Sequence, residues 1–327
     1  MFLEDKPQYF LAPMAGITNL AYRILLKEYG ADVLTTELIS AKSYSYGSKR
    51  TKEMMKTLSQ EQPCGIQVFG TDIDEMCAIS QYAMDNGASF VDINCGCPVP
   101  KVVKSGAGSA MLKEPKKIAP LLESMREQVS IPLSLKIRTG WDHNKITASE
   151  VIHIAQESGF NWVSVHGRTK EQGYTGKSDW KFIKELSANT QIPIIGNGDI
   201  ADVNTANDYL KNKYCHHLMI GRRVLTDPLF FLKLKKIEDP NKNIFTFIER
   251  YHDLCCEHTH PKIREIHLKK IIIYLANGWV NYDAFRKRLY LIGNDMEDIK
   301  NAALDFFAES SLDPSYTDSF FLKGGHG

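Results

Sequence analysis

Eight short runs rich in β-branched and aromatic residues recur along the first two thirds of the chain, each separated from the next by a helix-patterned segment. They are YFLAPM (9–14), DVLTTEL (32–38), CGIQVFG (64–70), FVDINCG (90–96), LSLKIRTG (133–140), WVSVHGR (162–168), IPIIGNGD (192–199) and HHLMIGR (216–222). The intervening segments, such as NLAYRILLKEYG, IDEMCAISQYAMDNGA and ITASEVIHIAQESG, carry apolar residues at helical spacing and end near glycine, a common helix terminus. Eight alternating strand and helix units within some 220 residues predict an α/β fold, a closed (β/α)8 TIM barrel rather than an open sheet. Beyond about residue 235 the alternation stops. FTFIERYHDLCCEHTH, KIREIHLKKIIIYLANG and YDAFRKRLYLIG read as helices, so the expected organisation is a barrel over 1–238, a linker at DPNKN (239–243) and a C-terminal all-helical domain over 243–310. Residues 311–327 are rich in turn formers and are expected to be poorly ordered apart from Phe320–Leu322.

Alternation inside the strands says which side chains meet. Leu133, Leu135 and Ile137 share one face while Ser134, Lys136 and Arg138 share the other; Val163 and Val165 oppose Ser164, His166 and Arg168. Likewise Ile66 and Val68 oppose Gln67, and Val91 and Ile93 oppose Asp92 and Asn94. A barrel strand packs its apolar outer face on the helix ring, so the polar members point inward, near the C-terminal mouth where barrel enzymes keep their sites. Gln67, Asn94, Lys136 and His166 should therefore converge.

Several of these residues carry chemistry in their own right. Lys136 on an inward face needs a partner, because a desolvated ammonium is costly; it is read as a Schiff-base amine, as a fixed cation beside a bound anionic ring, or as a lysine reaching solvent at the mouth. Glycine and arginine in GNGDI and MIGR, after strands seven and eight, sit where barrels hold phosphate with backbone N–H groups. A mononucleotide fits better than a dinucleotide, since SGAGSA (105–110) neither follows a strand directly nor makes the G-x-G-x-x-G spacing. Cys97 lies just past the end of its strand in G-C-P, and a thiol of ordinary pKa can donate a proton at neutral pH. Cys95 reads as packing, and His216 and His217 as strand and rim residues. CCEHTH (255–260) has helical spacing suited to metal but also fits core cysteines and solvent histidines, and no metal is expected.

Seven cysteines in a chain whose start lacks a basic-then-apolar leader argue for reduced thiols and a cytoplasmic setting, and no apolar run is long enough to suggest a membrane span. The net charge of +1 decides little. Its distribution is more informative: residues 233–290 hold 12 Lys and Arg against 7 Asp and Glu, and the chain from 291 holds 7 acids against 2 lysines. The basic stretch suits either a phosphate-facing surface or a solvated helical face.

APMAGIT, IQVFG, DINCGCP, LKIRTGW, VHGRT, GNGDI and MIGR, in that order from about residue 9 to 225, together resemble the tRNA-dihydrouridine synthases, and the APMAGIT form is most similar to the bacterial B-type branch. The resemblance implies an NAD(P)H-dependent FMN enzyme, with NADPH as reductant, that passes hydride from flavin N5 to C6 of a tRNA uridine while a cysteine protonates C5. It assigns Cys97 as that acid. It assigns Pro13, Met14, Ala15, Gln67, Lys136, His166, Asn197, Gly198, Asp199, Gly221 and Arg222 to the flavin. On the tRNA side it sets Asn94, Lys101 and Lys104; Arg138, Arg168 and Lys269 are further tRNA candidates, and Lys262, Arg264, Lys270, Arg286, Lys287, Arg288 and the SKRTK stretch (48–52) are candidates for the phosphate contacts that would offset drawing the base out of its stack. The chain departs from the family pattern at Cys95, where methionine is usual, and at Arg223, where a small residue is usual. A flavin barrel acting on a free pyrimidine, similar to dihydroorotate dehydrogenase, is the competing enzyme; a tRNA-holding protein without chemistry and a Schiff-base aldolase are the other two readings. No obligate protein partner is expected.

Overall fold

The computed structural model describes residues 3–316. Eight parallel strands form the barrel: β1 (Tyr9–Leu11), β2 (Leu34–Thr35), β3 (Cys64–Phe69), β4 (Phe90–Cys95), β5 (Leu133–Arg138), β6 (Trp162–His166), β7 (Ile194–Asn197) and β8 (His217–Ile220). Each pairs with its sequence neighbour from β2 through β8, β8 pairs with β1, and a parallel bridge between Phe10 and Val33 closes the ring. The expected (β/α)8 barrel is what forms. A short run at Ile39–Ser40 adds to the top of β3, and a hairpin of Gly140–Asp142 with Lys145–Ile146 follows β5.

The two faces of the strands separate into two cores, as period-two patterning requires. Outward-facing Val91, Ile93, Leu133, Leu135, Ile137, Val163 and Val165 belong to the large cluster shared with the helices. Inside the barrel, Phe10, Phe90, Trp162, Ile195 and Met219 fill the N-terminal end, with the Phe90 and Trp162 rings 5.0 Å apart at 66°. Gly65 leaves room for this plug, because a Cβ there would overlap the Phe90 ring. Above the plug the interior turns polar: Asp92, Ser134 and Ser164, then Gln67, Asn94, Lys136, His166 and Asn197 toward the mouth. An apolar floor and a polar upper half make the mouth, not the centre, the place for a ligand.

Helices Ile244–His258, Arg264–Ala276, Tyr282–Leu291 and Met296–Glu309 follow the barrel. The first starts at Asn243, whose side chain accepts the N–H groups of Phe245 and Thr246, directly after the stretch read as a linker. It lies on the first barrel helix, Leu20–Glu28: Phe247 meets Tyr22 and Tyr29, Tyr251 meets Tyr22, and Arg250 pairs with Glu28 at 2.7 Å. Core residues of these helices and of the barrel's outer layer form one cluster. Of the turn-rich end, Ser311–Tyr316 are seated: the Val280 N–H bonds the Ser311 carbonyl, and Asn277 donates to the Tyr316 hydroxyl at 2.8 Å. The Phe320–Leu322 cluster lies outside the described residues. Among the described residues no helix is long and apolar enough to cross a membrane.

Candidate active site

Strand ends and the loops after them surround a cavity of about 440 Å³ at the C-terminal mouth, lined by residues that include Pro13, Met14, Gln67, Asn94, Cys97, Lys136 and His166. A smaller space of about 120 Å³ adjoins it, sharing Lys136, His166 and Arg222 among others and adding Asn197, Gly198, Asp199, Gly221 and Arg223. The four inward polar residues expected to converge do so here. The first volume lies in the range of small-molecule sites, and the second is a side chamber at the ends of β7 and β8.

Cys97 stands at the lip, half-buried, and its backbone is held from both sides. Its N–H and that of Gly96 donate to Asn94 Oδ1 at 2.9 and 3.2 Å, while its carbonyl accepts the Ser109 N–H at 3.1 Å and the Ser109 hydroxyl at 2.9 Å. Gly108 makes that second contact possible: its φ is +61°, and a Cβ would come 2.9 Å from the Cys97 carbonyl oxygen. Burial pushes the Cys97 thiol up, against the opposing pull of a backbone hydrogen bond from Val99 and of the Arg138 and Lys136 charges. The thiol is therefore protonated at neutral pH. Cys95, two residues earlier at the end of the strand, is fully buried with its sulfur 3.7 Å from that of Met111.

Lys136 donates to Asn197 Oδ1 at 3.1 Å, and Asn197 in turn donates to the Met219 carbonyl at 2.8 Å. Burial first, and the Arg138 charge second, bring the Lys136 ammonium down to about 8, with Asp92 and Cys97 acting the other way. Burial, with the Arg138, Lys136, Arg168 and Arg222 charges, holds His166 well below the ordinary histidine range, so the imidazole is neutral. Its tautomer follows from its neighbour. Arg168 Nη1 lies 3.3 Å from His166 Nε2 and can only donate, which makes Nε2 the acceptor and leaves the ring proton on Nδ1.

The side chamber has the chemistry of an anion cradle. Gly198, at φ +117°, turns the backbone where a Cβ would overlap Ser178, and Arg222 and Arg223 line the same space. Asp199 would repel an anion, but its carboxylate is taken by Arg168 at 2.7 and 2.9 Å and by the Ser178 N–H at 2.7 Å, with Arg222 at 3.6 Å. Asp199 thus stands on the chamber wall with its charge offset, and holds Arg222 there. Arg223, one of the two departures from the family pattern, also reaches Asp227 at 3.5 Å on its own helical turn.

Three residues expected on the substrate side are tied into hydrogen bonds within the protein. Arg168 is 1% exposed, lines neither space, and also donates to the Thr175 and Gly176 carbonyls, so it anchors the loop after β6. Arg138 borders the main cavity, but its guanidinium is buried and donates to the carbonyls of Gly96, Thr169 and Gly173. Lys269 donates to the carbonyls of Ile292 and Gly293, just past the end of the helix Tyr282–Leu291. Lys101 and Lys104 are exposed beside the Cys97 loop, and Lys262, Arg286, Lys287 and Arg288 are exposed on the helical side, with Arg264 half-buried. Two lining residues carried no signal in the sequence reading. Tyr174 borders both spaces and lies between the Arg138 and Arg222 guanidiniums at 5.6 and 5.1 Å; Tyr274 reaches the main cavity from the helix Arg264–Ala276.

The family model of the dihydrouridine synthases (Dus) matches residues 10–302, almost the whole of this architecture. The chain belongs to the dihydrouridine synthase family. It is 35% identical over 225 residues to tRNA-dihydrouridine synthase B of Xanthomonas axonopodis pv. citri (strain 306), covering 69% of this chain and 68% of that one. To the probable tRNA-dihydrouridine synthase of Rickettsia prowazekii (strain Madrid E) it is 30% identical over 315 residues, covering 93% and 96%. Among solved structures, histamine dehydrogenase from Rhizobium sp. 4-9 aligns with a TM-score of 0.52 at 12% identity over 77% of this chain, and 2-naphthoyl-CoA reductase with 0.54 at 11% over 70%. The chain spans half the length of each of those two, and at such identity they speak for the barrel fold alone. Family membership makes the chain an oxidoreductase and sets aside the aldolase and the non-catalytic tRNA-holding readings.

Proposed function

We propose that this chain reduces the C5–C6 bond of uridines in tRNA, using bound FMN that is reduced by NADPH. The observation that carries the reading is a thiol, Cys97, whose backbone is fixed at the lip of a mouth cavity that Lys136 also lines and whose side chamber suits a phosphate. The residues fit FMN: the side chamber offers Gly198, Gly221 and Arg222 to a phosphate, while Pro13, Met14, Gln67, Lys136 and His166 would border the ring. When bound and reduced, FMN supplies the hydride that adds to C6. Cys97 holds the proton for C5, since burial keeps the thiol neutral until the carbanion character develops there. Lys136 offsets negative charge near its ammonium, and His166 Nδ1–H is an uncharged donor. Asn94 orients the loop that carries the thiol, and as a residue of the cavity wall it is the candidate to contact the base.

A uridine inside folded tRNA must be drawn out of its stack, at a cost of a few kcal/mol. Exposed Lys101 and Lys104 by the cavity, with Lys262 in the turn before the helix Arg264–Ala276 and Arg286, Lys287 and Arg288 on the helix Tyr282–Leu291, are the groups we expect to return that energy through phosphate contacts. In this reading the helical region over 243–310 is the tRNA-binding domain. The test is Cys97→Ala assayed for dihydrouridine by mass spectrometry of digested tRNA. Loss of an acid catalyst should lower formation by roughly 10²- to 10⁴-fold while bound FMN is retained. Unchanged dihydrouridine formation would reject Cys97 as the acid.

A further inference from the structure

One carboxylate at the heart of the barrel has no part in the proposed chemistry, yet its position governs the residues that do. Asp92 is 2% exposed and accepts two hydrogen bonds, from Gln67 Nε2 at 2.7 Å and from the Ser134 hydroxyl at 2.6 Å. A carboxylate only accepts, so Gln67 must turn its NH₂ toward Asp92 and its oxygen away. That oxygen accepts Asn94 Nδ2 at 3.0 Å. Asn94 must then face its own oxygen outward, where it takes the N–H groups of Gly96 and Cys97. Two amide side chains, whose ends could otherwise face either way, are thereby set in one sense by the acceptor at the bottom.

We propose that Asp92 is a positioning residue that orients the Gln67 and Asn94 amides and, through them, fixes the backbone of Cys97 at the cavity lip. This rests on, and deepens, the reading of Cys97 as the proton donor. Its reach extends further, because Gln67 and Asn94 both line the cavity, so reversing either amide would also invert the donors and acceptors offered to the flavin and the base. Asparagine at position 92 can still offer an oxygen to Gln67 while donating to the Ser134 hydroxyl, which rotates to accept. Leucine of similar size cannot.

The experiment compares Asp92→Leu, Asp92→Asn and wild type for the rate at which iodoacetamide alkylates Cys97, read by peptide mass spectrometry against pH, with exposed Cys256 as the internal standard. Losing the two bonds that pin the Gly96–Cys97 backbone should change the Asp92→Leu rate by roughly tenfold relative to Cys256 and displace its pH midpoint, with Asp92→Asn close to wild type. Dihydrouridine formation should follow the same order. If Asp92→Leu fails to fold, Gln67→Leu breaks the relay one step later and must give the same altered Cys97 profile. A Cys97 profile unchanged in Asp92→Leu, or in Gln67→Leu, would overturn the proposal; so would an Asp92→Asn profile as altered as that of Asp92→Leu. Because alkylation is read without turnover, a Cys97 that responds to the relay but is not needed for dihydrouridine would reject the acid role alone.

Discussion

Replacing Lys136 by methionine should leave the flavin-free protein about as stable as it was, and that expectation separates a residue kept for a ligand from one kept for the fold. The drop of the ammonium from its usual 10.5 to about 8 corresponds to roughly 3 kcal/mol against the charged form, at a side chain inside the barrel mouth. Methionine removes that penalty, while losing the bond to Asn197 and leaving its oxygen without that donor costs about 1–3 kcal/mol, and Asp92 loses a nearby cation. The terms nearly cancel at pH 7. They stop cancelling as pH rises. The unfolded lysine keeps its proton to about 10.5 while the folded one releases it near 8, so the unfolded state binds more protons in that window and wild-type stability gains with pH. Between pH 7.5 and 9.5 wild type should gain about 2 kcal/mol on Lys136→Met. Urea unfolding of both proteins, stripped of flavin, measures this directly, and FMN titration of the same samples should show affinity lower by roughly ten- to a hundredfold in the variant. A loss of 3 kcal/mol or more at pH 7, as follows from breaking a needed buried pair, would refute the reasoning. So would parallel stability curves across that pH range.

Three further outcomes follow. Arg23 and Glu61 form a buried pair at 2.6 Å beneath the first barrel helix, and Glu61→Ala, which strands the guanidinium, should cost about 3–5 kcal/mol in denaturant unfolding. Exchanging Arg286, Lys287 and Arg288 together for glutamine should weaken tRNA binding and flatten its dependence on salt, whereas Lys269→Gln should leave the salt slope unchanged because its ammonium is committed to the Ile292 and Gly293 carbonyls. Equal slopes for the triple variant and wild type would remove those helices from the RNA interface. Gly65→Ala should destabilise by about 1–3 kcal/mol without changing FMN affinity, since the clash is with Phe90 in the floor of the barrel.

The barrel was legible because period-two alternation in LSLKIR, WVSVH and FVDINC states which face meets the helices and which meets the axis, and burial enforces that division. The convergence of Gln67, Asn94, Lys136 and His166 follows from the same parity. What the pattern does not encode is how far a long side chain reaches and whom it meets. Arg138 and Arg168 share the inward parity, but their guanidiniums bend to backbone carbonyls of the loop after β6, whose course has no periodic signature. Lys269 looked like one more cation on a basic helix; only tertiary packing brings the Ile292 and Gly293 carbonyls to it. Tyr174 and Tyr274 were missed for the same reason, one being carried by a loop and the other by a helix about 100 residues later. Asp92 was placed on the right face. That its acceptor oxygens line up two amides is visible only once distances exist.

The central claim is that one chain joins a flavin pocket to a tRNA uridine, with Cys97 as the acid between them. The most direct measurement is anaerobic: reduce the purified protein with NADPH, add tRNA from cells that lack the modification, and follow flavin absorbance in wild type and in Cys97→Ala. Rapid reoxidation of wild type by that tRNA, none by free uracil or orotate, and little in Cys97→Ala is the predicted result. Reoxidation by the free pyrimidine alone, or by tRNA at equal rates in both proteins, would contradict it.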